Sequence, residues 1–381
     1  MNKVVLGIER LEESIIRNAS IGLVCNHASY NSEFCHLIEV VRKYGGDIRV
    51  VFSPEHGLYG VSYAGEKVSS YYDKDFNVDV YSLYGESKAP PTDLLRSLDF
   101  LIYDLQDVGV RWYTYISTLY YSVSSSSKAG IPLIVLDRPN PINGVIIEGP
   151  ILEERFRSFV GIAPIPVRYG LTVGELAKYY SSVLGLGGDV RVIQLEGWKR
   201  SLWYDDTGLD WIPPSPNIPT WETAIVYTGT CLLEGTNLSE GRGTTVPFFI
   251  LGAPWINAKR LSRELNKLKL LGVFFRLVYF RPYYSKYSGE VCGGVYIHIL
   301  DREKFRPFTT IVYALKKIKE IYPRDFSWKK HNGNYIIDIL SGTDKVRMIV
   351  EGDTDIGKVI EEWNRHLREY RSKTSRILLY G

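Results

Sequence analysis

The first half of the chain alternates between two hydrophobic patterns. Short runs of β-branched and aliphatic residues are typical of buried strands, and longer amphipathic segments are typical of helices. The predicted strands cover residues 21–26, 48–52, 100–105, 131–136 and 190–195. The predicted helices cover residues 33–44, 92–97, 113–128 and 172–184. Strands that alternate with helices in this way predict an α/β fold with a doubly wound parallel sheet and helices on both of its faces.

The alternation stops after residue 198. Residues 211–220, WIPPSPNIPT, hold too many prolines for regular structure and are typical of a connecting or active-site loop. Farther on, predicted strands at 272–280 and 295–300 and predicted helices at 308–321 and 356–370 indicate a smaller α+β domain. A length of 381 residues also favours two domains. We therefore expect a sheet domain over residues 1–225 and a smaller domain over residues 226–381.

Composition and charge exclude several classes of partner. The chain has 46 basic and 43 acidic residues, and this balance predicts no nucleic-acid or membrane-surface partner. The N-terminal residues lack a secretory pattern, and no apolar run approaches the roughly 18 residues that a membrane helix needs. We therefore expect a cytoplasmic protein. The oligomeric state stays open.

No metal or cofactor motif is convincing. Cys25, His27, Cys35 and His36 have a spacing that fits no established zinc site. Residues 352–358 have the spacing of a phosphate-binding loop, but Val359 replaces the required serine or threonine. No G-x-G-x-x-G motif follows the first strand. We therefore expect no metal and no cofactor.

Polar residues follow four of the predicted strands. The segments after these strands are Asn26-His27, Ser53-Pro-Glu-His-Gly57, Asp104-Leu-Gln-Asp107 and Asp137-Arg-Pro-Asn-Pro141. Ligands in open α/β sheets bind at the carboxyl ends of the strands, so the four segments predict an active site at that edge. Asp and Asn also favour ordinary turns, and this alternative explains one or two such segments more easily than four.

Glu55 is the leading candidate for a catalytic acid. Pro54 fixes the approach to it and Gly57 permits a tight turn after it, so its carboxyl group can be held in place as a general acid. His56 could tune this carboxyl or bind substrate. The alternatives are a surface glutamate in a turn and a structural histidine.

Further candidates lie near the same predicted edge and in one glycine-rich loop. Asp107 and Glu148 are the first choices for a second catalytic carboxylate. The expected substrate-binding residues are Asn26, His56, Gln106, Arg111, Tyr113, Tyr115, Asp137, Arg138, Asn140, Arg168, Tyr169, Asn237, Glu240 and Arg242. The arginines suit a substrate carboxylate and the tyrosines a sugar face, although arginines also form structural ion pairs and aromatic residues are more often core. Residues 234–245 could equally be a plain glycine-rich connector.

The sequence resembles the NamZ-type exo-β-N-acetylmuramidases, a family formerly catalogued as a domain of unknown function. The resemblance is carried by segments spread over almost the whole chain, among them FSPEHGLYG at 52–60, YDLQDVGVRWYTYIST at 103–118, LDRPNPING at 136–144, SPNIPT at 215–220 and TGTCLLEGTNLSEGRGTT at 228–245. It implies a Rossmann-like domain and a smaller C-terminal domain with the active site between them. By motif, the proposed catalytic glutamate of the family falls on Glu55. The family usually has histidine where Tyr169 stands, so we expect altered specificity or protonation if that residue touches substrate.

Together these features predict an exo-acting glycosidase that takes a small-molecule or oligosaccharide substrate. The resemblance implies release of terminal N-acetylmuramic acid. We expect Glu55 to protonate the leaving oxygen, Asp107 or Glu148 to activate water or attack the anomeric carbon, and Arg111 or Arg138 to bind the lactyl carboxylate. Assistance by the acetamido group is an alternative. A sugar-modifying hydrolase of altered specificity and a non-catalytic sugar-binding protein are the other hypotheses.

Overall fold

The computed structural model describes residues 3–381. Its largest sheet has seven strands in the order β3-β4-β2-β1-β5-β6-β7. All neighbouring pairs are parallel except β3 and β4, so an antiparallel edge strand is added to the predicted parallel sheet. The strands are β1 (Ser20–Cys25), β2 (Asp47–Ser53), β3 (Tyr71–Asp73), β4 (Val78–Ser82), β5 (Phe100–Asp104), β6 (Leu133–Leu136) and β7 (Val190–Ile193).

The six parallel strands have the doubly wound order that the sequence predicts. The chain passes from β1 to β2 and β4 on one side, then returns to place β5, β6 and β7 on the other side. The order therefore reverses between β1 and β5, where a crevice for ligands is expected at the carboxyl ends of the strands. The α/β fold is confirmed.

Five helices belong to this half of the molecule: α1 (Glu13–Ile16), α2 (Leu37–Lys43), α3 (Thr92–Leu95), α4 (Tyr115–Ala129) and α5 (Val173–Lys178). α5 begins with a capping box, because Thr172 Oγ1 accepts a hydrogen bond from Glu175 N at 3.2 Å and Glu175 Oε2 accepts one from Thr172 N at 3.0 Å. The predicted helix continues past α5 as a π-helical turn, Tyr179–Val183.

The second half has a three-stranded antiparallel sheet in the order β8-β10-β9 and a small hairpin of β11 and β12. Its strands are β8 (Ile250–Ala253), β9 (Val273–Phe280), β10 (Cys292–Ile299), β11 (Lys330–His331) and β12 (Asn334–Tyr335). Its helices are α6 (Trp221–Thr230), α7 (Ala258–Asn266), α8 (Pro307–Ile321), α9 (Ile336–Ser341), α10 (Lys345–Glu351) and α11 (Ile356–Thr374). This is the smaller α+β region that the sequence predicts.

The two halves share a hydrophobic core. One cluster of buried residues extends from Phe52 and Leu101 in the large sheet to Leu233, Phe308 and other residues of the second half. The chain end also returns to the large sheet, where the Tyr380 hydroxyl donates to Asp137 Oδ2 at 2.5 Å. Within residues 3–381, no helix combines the length and the apolar character that crossing a membrane requires.

Candidate active site

A cleft of about 250 Å³ lies between the two halves of the molecule. One wall comes from the segments that follow β2, β4 and β5, and the other comes from the proline-rich loop, α6 and the glycine-rich loop. The lining residues are Glu55, His56, Ala64, Gly65, Tyr84, Trp112, Tyr113, Thr114, Val160, Ser215, Asn217, Ile218, Tyr227, Cys231, Glu234, Arg242, Phe248 and Leu340. Because three strand ends contribute to it, the cleft lies where a doubly wound sheet is expected to bind its ligand.

Glu55 is held in the wall of this cleft by a hydrogen bond to each carboxyl oxygen. Thr114 Oγ1 donates to Oε2 at 2.6 Å, and the backbone N–H of Gly65 donates to Oε1 at 2.8 Å. The side chain is nearly buried, with 8% of its surface exposed. Two fixed donors and burial leave the carboxyl little rotational freedom, which suits a group that must transfer a proton in one direction.

The turn that presents Glu55 contains a non-glycine residue with positive φ. Gly57 N donates to Pro54 O at 3.0 Å, so residues 54–57 form a β-turn. The third residue, His56, has φ +73°. Such a conformation is uncommon for histidine, and residues held this way are concentrated at functional sites. His56 Nδ1 lies 2.7 Å from Ser62 O and ties the turn to the loop that supplies Gly65.

The opposite wall carries a second carboxylate with its counter-ion. Glu234 lies in the 3-10 turn Cys231–Gly235, directly after α6. Arg242 Nη2 donates to Glu234 Oε1 at 2.6 Å, and Arg242 Nε lies 3.4 Å from Glu240 Oε1. Burial lowers the pKa of Arg242, but attraction to the two glutamates raises it overall, so the guanidinium stays charged.

Four of the aromatic residues that line the cleft pack against one another. Tyr113 and Tyr227 have ring centroids 6.3 Å apart, and Tyr227 and Phe248 are 4.7 Å apart, both nearly perpendicular. Trp112 lies edge to face with Tyr227 at 6.2 Å. Aromatic faces beside carboxylates are a combination that suits a sugar, which has apolar C–H faces and polar hydroxyl edges.

A lysine without a carboxylate against it lies beside Glu55. Lys88 Nζ is 3.6 Å from the centroid of the Tyr84 ring and 4.5 Å from that of Phe159. Burial lowers the pKa of Lys88, while Glu55 opposes this effect. Burial and a hydrogen bond to the Glu55 carboxylate raise the pKa of the Tyr84 hydroxyl. Lys88 is therefore a half-buried cation that packs on Tyr84, a residue of the cleft lining.

Two predicted residues support the cleft from behind. Asn26 Nδ2 donates to the Tyr115 hydroxyl at 2.9 Å, and that hydroxyl donates to Pro214 O at 2.7 Å. Both side chains thus hold the proline-rich loop, from which Ser215 and Asn217 enter the cleft. Of the other predicted residues, Glu55, His56, Tyr113 and Arg242 line the cleft itself.

Asp107, Gln106 and Tyr169 lie in a separate buried cluster outside the cleft lining. Asp107 Oδ2 accepts hydrogen bonds from Gly109 N at 2.6 Å and from the Tyr169 hydroxyl, while Oδ1 has no partner among the described residues. Gln106 Nε2 donates to Asp107 O at 2.8 Å and to Pro139 O at 3.1 Å. Tyr169 is 1% exposed, so the residue at which the family usually has histidine contacts Asp107 rather than the cleft.

The polar residues after β6 also lie outside the cleft lining. Arg138 forms a two-point ion pair with Asp104, with Nε–Oδ1 and Nη2–Oδ2 distances of 2.5 and 2.9 Å. Asp137 accepts from Thr172 Oγ1 at 2.8 Å and from Gly174 N at 2.7 Å, and Asn140 Nδ2 donates to Leu171 O at 2.9 Å. These groups hold the segments around β6 and α5, and the guanidinium expected to bind a substrate carboxylate is already paired.

Arg111 has all of its terminal donors engaged by main-chain carbonyls. Its Nη1 donates to Pro150 O and Ile165 O at 2.7 and 2.8 Å, and its Nη2 donates to Ser341 O at 2.5 Å. The side chain is fully buried, and burial lowers its pKa to about 9. The structure therefore gives Arg111 a role in joining the two halves instead of the predicted contact with a substrate carboxylate.

Glu148 and Arg168 belong to the same buried layer. Glu148 Oε1 accepts a hydrogen bond from Thr309 N at 2.8 Å, in the first turn of α8. Arg168 Nη2 donates to Ile142 O, and its guanidinium lies 5.1 Å from the centroid of the Trp203 ring. Glu148 Oε1 thus caps the N-terminus of α8 by accepting from a backbone N–H that has no partner within the helix. Glu148 was expected to be catalytic, but it lies outside the cleft lining.

The last two predicted residues, Asn237 and Glu240, lie within the glycine-rich loop. Asn237 Nδ2 donates to Asp325 O at 2.7 Å, and its Oδ1 accepts from Ser327 N at 3.0 Å, away from the cleft. Glu240 pairs with Arg242 and, through Oε2, with Lys286 Nζ at 3.0 Å. Glu240 does not line the cleft, and it contacts Arg242, which does.

Sequence reasoning missed several cleft residues. Glu234 starts the glycine-rich segment but has no local motif of its own, and its position opposite Glu55 depends on how the two halves pack. Tyr84 follows β4, a strand that was not predicted, so the strand-end argument was never applied there. Asn217 lies in the proline-rich segment. The interpretation of that segment as an active-site loop could have indicated it.

Comparisons with known proteins agree on one relationship. Residues 21–222 match the family model "Exo-beta-N-acetylmuramidase NamZ, N-terminal", and residues 225–380 match the corresponding C-terminal model. The chain is 41% identical to the peptidoglycan beta-N-acetylmuramidase NamZ of Bacillus subtilis (strain 168), over 99% of this chain and 92% of the relative. Two crystal structures of DUF1343 family proteins from Bacteroides fragilis NCTC 9343 are similar over 100% of this chain and 99% of theirs, with TM-scores of 0.92 and 0.78 and identities of 32% and 26%.

Proposed function

Because the chain belongs to the exo-beta-N-acetylmuramidase NamZ family, we propose that it hydrolyses the β-glycosidic bond of a terminal N-acetylmuramic acid. The substrate is a peptidoglycan-type oligosaccharide, and the sugar is released from its non-reducing end. The observation that carries this proposal is that two carboxylates, Glu55 from the first half of the chain and Glu234 from the second, line one cleft together with aromatic residues. Glycoside hydrolysis commonly needs two carboxyl groups on either side of the scissile bond.

Glu55 is the general acid in this proposal. Its proton passes to the glycosidic oxygen as the bond between that oxygen and the anomeric carbon breaks, so the leaving sugar departs as a neutral alcohol. The carboxylate that remains is stabilised by the Thr114 hydroxyl and the Gly65 amide. These donors are already in place before the reaction, so little reorganisation accompanies the proton transfer.

Glu234 replaces Asp107 and Glu148 as the candidate second carboxylate, because it faces the cleft and they do not. It removes a proton from the water that adds to the anomeric carbon, or attacks that carbon itself, and Arg242 beside it balances its charge. In the substrate-assisted course, the acetamido oxygen attacks instead. Replacing the acetamido hydrogens with fluorine slows that course steeply and leaves direct attack by water or Glu234 much less affected.

The size of the cleft favours a single sugar. A volume of about 250 Å³ is just below the roughly 300–1,000 Å³ of sites for larger ligands. The cation available for the lactyl carboxylate of muramic acid is Lys88, since Arg111 is occupied by carbonyls and Arg138 by Asp104. Because Lys88 lies near Glu55, this contact would place the lactyl carboxylate close to the bond that is cleaved.

The proposal is tested with two muramic acid substrates and one variant. The wild-type protein and Glu55→Gln are compared on the N-acetylmuramic acid–N-acetylglucosamine disaccharide and on para-nitrophenyl N-acetyl-β-muramide. We expect the variant to lose about 100- to 10,000-fold in kcat on the disaccharide. The loss on the nitrophenyl substrate should be smaller, because nitrophenolate departs without protonation.

Each outcome has a distinct meaning. Equal losses on both substrates would show that Glu55 is needed for something other than protonating the leaving group. A folded wild-type protein that releases neither product would overturn the muramidase proposal. A protein that binds the disaccharide but never cleaves it would be a sugar-binding protein.

A further inference from the structure

Three exposed tyrosines lie in the two loops at the rim of the cleft. The exposed fractions of Tyr63, Tyr283 and Tyr284 are 68%, 87% and 39%. Tyr63 precedes the lining residues Ala64 and Gly65, and Tyr284 belongs to the loop between β9 and β10. Grouped exposed aromatic residues beside a cleft are typical of a binding surface, because a ring left in water without a function gives no stability.

The loop that carries Tyr63 is fastened to the candidate acid. Ser62 O lies 2.7 Å from His56 Nδ1, and Gly65 N donates to the Glu55 carboxyl at 2.8 Å. Tyr63 N in turn donates to Glu66 Oε2 at 2.8 Å, which closes a tight local turn. The Tyr63 ring is therefore presented a few residues from the group that protonates the leaving oxygen.

The loop that carries Tyr284 is fastened to the opposite wall. Tyr283 N donates to Gly243 O at 2.8 Å, and a Cβ added at Gly243, where φ is +77°, would lie only 2.7 Å from Tyr284 N. Lys286 Nζ reaches Glu240 Oε2 at 3.0 Å in the same loop. The Tyr284 hydroxyl donates to Asn217 Oδ1 at 2.8 Å, so the ring is tied to a residue that lines the cleft.

The two anchored rings pack against each other. Their centroids are 5.7 Å apart with an interplanar angle of 52°. Tyr283, the most exposed of the three, forms no ring pair with any aromatic residue in the described part of the chain. Tyr63 and Tyr284 therefore form one aromatic platform, while Tyr283 provides a neighbouring ring outside it.

We propose that Tyr63 and Tyr284 form the subsite for the leaving sugar, the N-acetylhexosamine whose oxygen Glu55 protonates. This inference rests on the proposed function. The buried cleft holds one sugar, so the next ring of the substrate must lie at the rim on the side of Glu55. A pyranose presents an apolar face of C–H groups, which packs well on an aromatic ring. The Tyr63 ring of the platform belongs to the loop whose Gly65 N–H binds the Glu55 carboxyl.

The test compares two substrates that differ only in the leaving group. The disaccharide of N-acetylmuramic acid and N-acetylglucosamine reaches the rim, whereas methyl N-acetyl-β-muramide does not. We expect Tyr63→Ala and Tyr284→Ala each to lower kcat/KM for the disaccharide about tenfold, the size of one lost aromatic contact. Activity on the methyl glycoside should stay within about twofold of wild type, because the leaving methyl group is too small to touch either ring.

Two further variants separate stacking from other effects. Tyr283→Ala is the matched control and should leave both substrates unaffected. Tyr284→Phe removes the hydroxyl that donates to Asn217 but keeps the ring, so it should retain most of the activity on the disaccharide. All three positions are at the surface, and unchanged melting temperatures will show that the four variants are folded.

The outcomes distinguish the subsite from the proposed function. If Tyr63→Ala and Tyr284→Ala lower both substrates equally, or lower neither, while the wild type cleaves the disaccharide, the subsite is wrong and the muramidase proposal stands. If Tyr283→Ala has the same effect as the other two, the platform as defined is also wrong. If the folded wild type cleaves neither substrate, the proposed function fails and the subsite fails with it.

Discussion

At the scale of single residues, we expect Lys88 to favour sugars that carry a carboxylate. Its ammonium group lies over the rings of Tyr84 and Phe159, and burial lowers its pKa. A substrate carboxylate in the cleft would restore the favourable surroundings of this charge. We predict that Lys88→Met lowers kcat/KM about 10- to 100-fold for the nitrophenyl muramide, the size expected for a hydrogen bond between charged groups. The corresponding N-acetylglucosaminide, which lacks the lactyl carboxylate, should be affected little.

The ratio of the two rates is the decisive quantity for Lys88. Lys67→Met is a matched control, since Lys67 is an exposed lysine whose charge acts on Lys88. The control should leave the ratio of muramide to glucosaminide hydrolysis unchanged. If Lys88→Met lowers both rates by the same factor, the lysine acts on Glu55 and does not bind the lactyl carboxylate.

Asp107 and Tyr169 predict a pH-dependent contribution to stability. Burial raises the pKa of Asp107 to about 6, against opposing hydrogen bonds from the Tyr169 hydroxyl and two backbone amides. An unfolded aspartate ionises near pH 4, so this carboxyl lowers the free energy of unfolding as the pH rises from about 4 to 6. Above pH 6 the charged carboxylate depends on Tyr169. We predict that Tyr169→Phe costs about 1.5–3 kcal/mol at pH 8 and about 1 kcal/mol at pH 5.

Urea unfolding at the two pH values measures this difference directly. In an Asp107→Asn background, which has no charge to support, Tyr169→Phe should cost the same at pH 5 and pH 8. A pH-independent loss in the protein with Asp107 intact would mean that the tyrosine contributes only packing. The measurement also bears on the family's usual histidine, because a side chain here acts on Asp107 and not on the cleft lining.

At the scale of elements, the N-terminus of α8 depends on a carboxylate from the other half of the chain. Glu148 Oε1 accepts from Thr309 N at 2.8 Å, while burial raises the pKa of Glu148. We predict that Glu148→Ala lowers the free energy of unfolding by about 1–2 kcal/mol through loss of this cap. Glu148→Gln keeps an acceptor and should lose less. Both folded variants should keep kcat within about threefold of wild type, and a loss of 100-fold in Glu148→Gln would restore the catalytic assignment.

Strands with strong hydrophobic runs were predictable, and weaker elements were not. β1, β2, β5, β6 and β7 lie within two residues of the predicted ranges at every end. β4 was missed because it is only five residues long and the exposed Asp79 interrupts its apolar run. α6, with the sequence WETAIVYTGT, was missed because its β-branched and aromatic residues have a weak intrinsic helical preference. Packing in the core between the two halves decides its conformation.

The candidate site was predictable only as far as it depends on one strand and its turn. Glu55, at the end of β2, follows from local turn chemistry and from the resemblance. Arg111, Asp107 and Glu148 are polar residues in the same region, yet tertiary contacts turn them into the interior. A sequence cannot distinguish a buried arginine that binds carbonyls from an exposed one that binds substrate. Glu234 could not be predicted, because its place in the cleft depends on which loop of the second half packs near Glu55.

At the scale of the whole molecule, the two regions matched by the family models are joined by more than a linker. The proposed division at residue 225 falls inside α6 (Trp221–Thr230). Arg111 binds the carbonyl of Ser341, and the Tyr370 hydroxyl of α11 donates to Tyr169 O at 3.0 Å. Because the two halves also share a hydrophobic core, we expect neither half to fold stably alone.

We therefore predict a single cooperative unfolding transition for the intact protein. Calorimetry should give a van't Hoff enthalpy close to the calorimetric enthalpy, which is the sign of two-state unfolding. Fragments 1–225 and 226–381 should each lack cooperative unfolding when expressed separately, because the cut exposes one side of the shared core and breaks α6. Two resolved transitions, or a fragment that melts cooperatively, would show that the halves are independent domains. In that case the cleft could open with the loss of only the contacts between the two domains. In the single-unit case, the geometry between Glu55 and Glu234 is fixed by the same core that stabilises the fold.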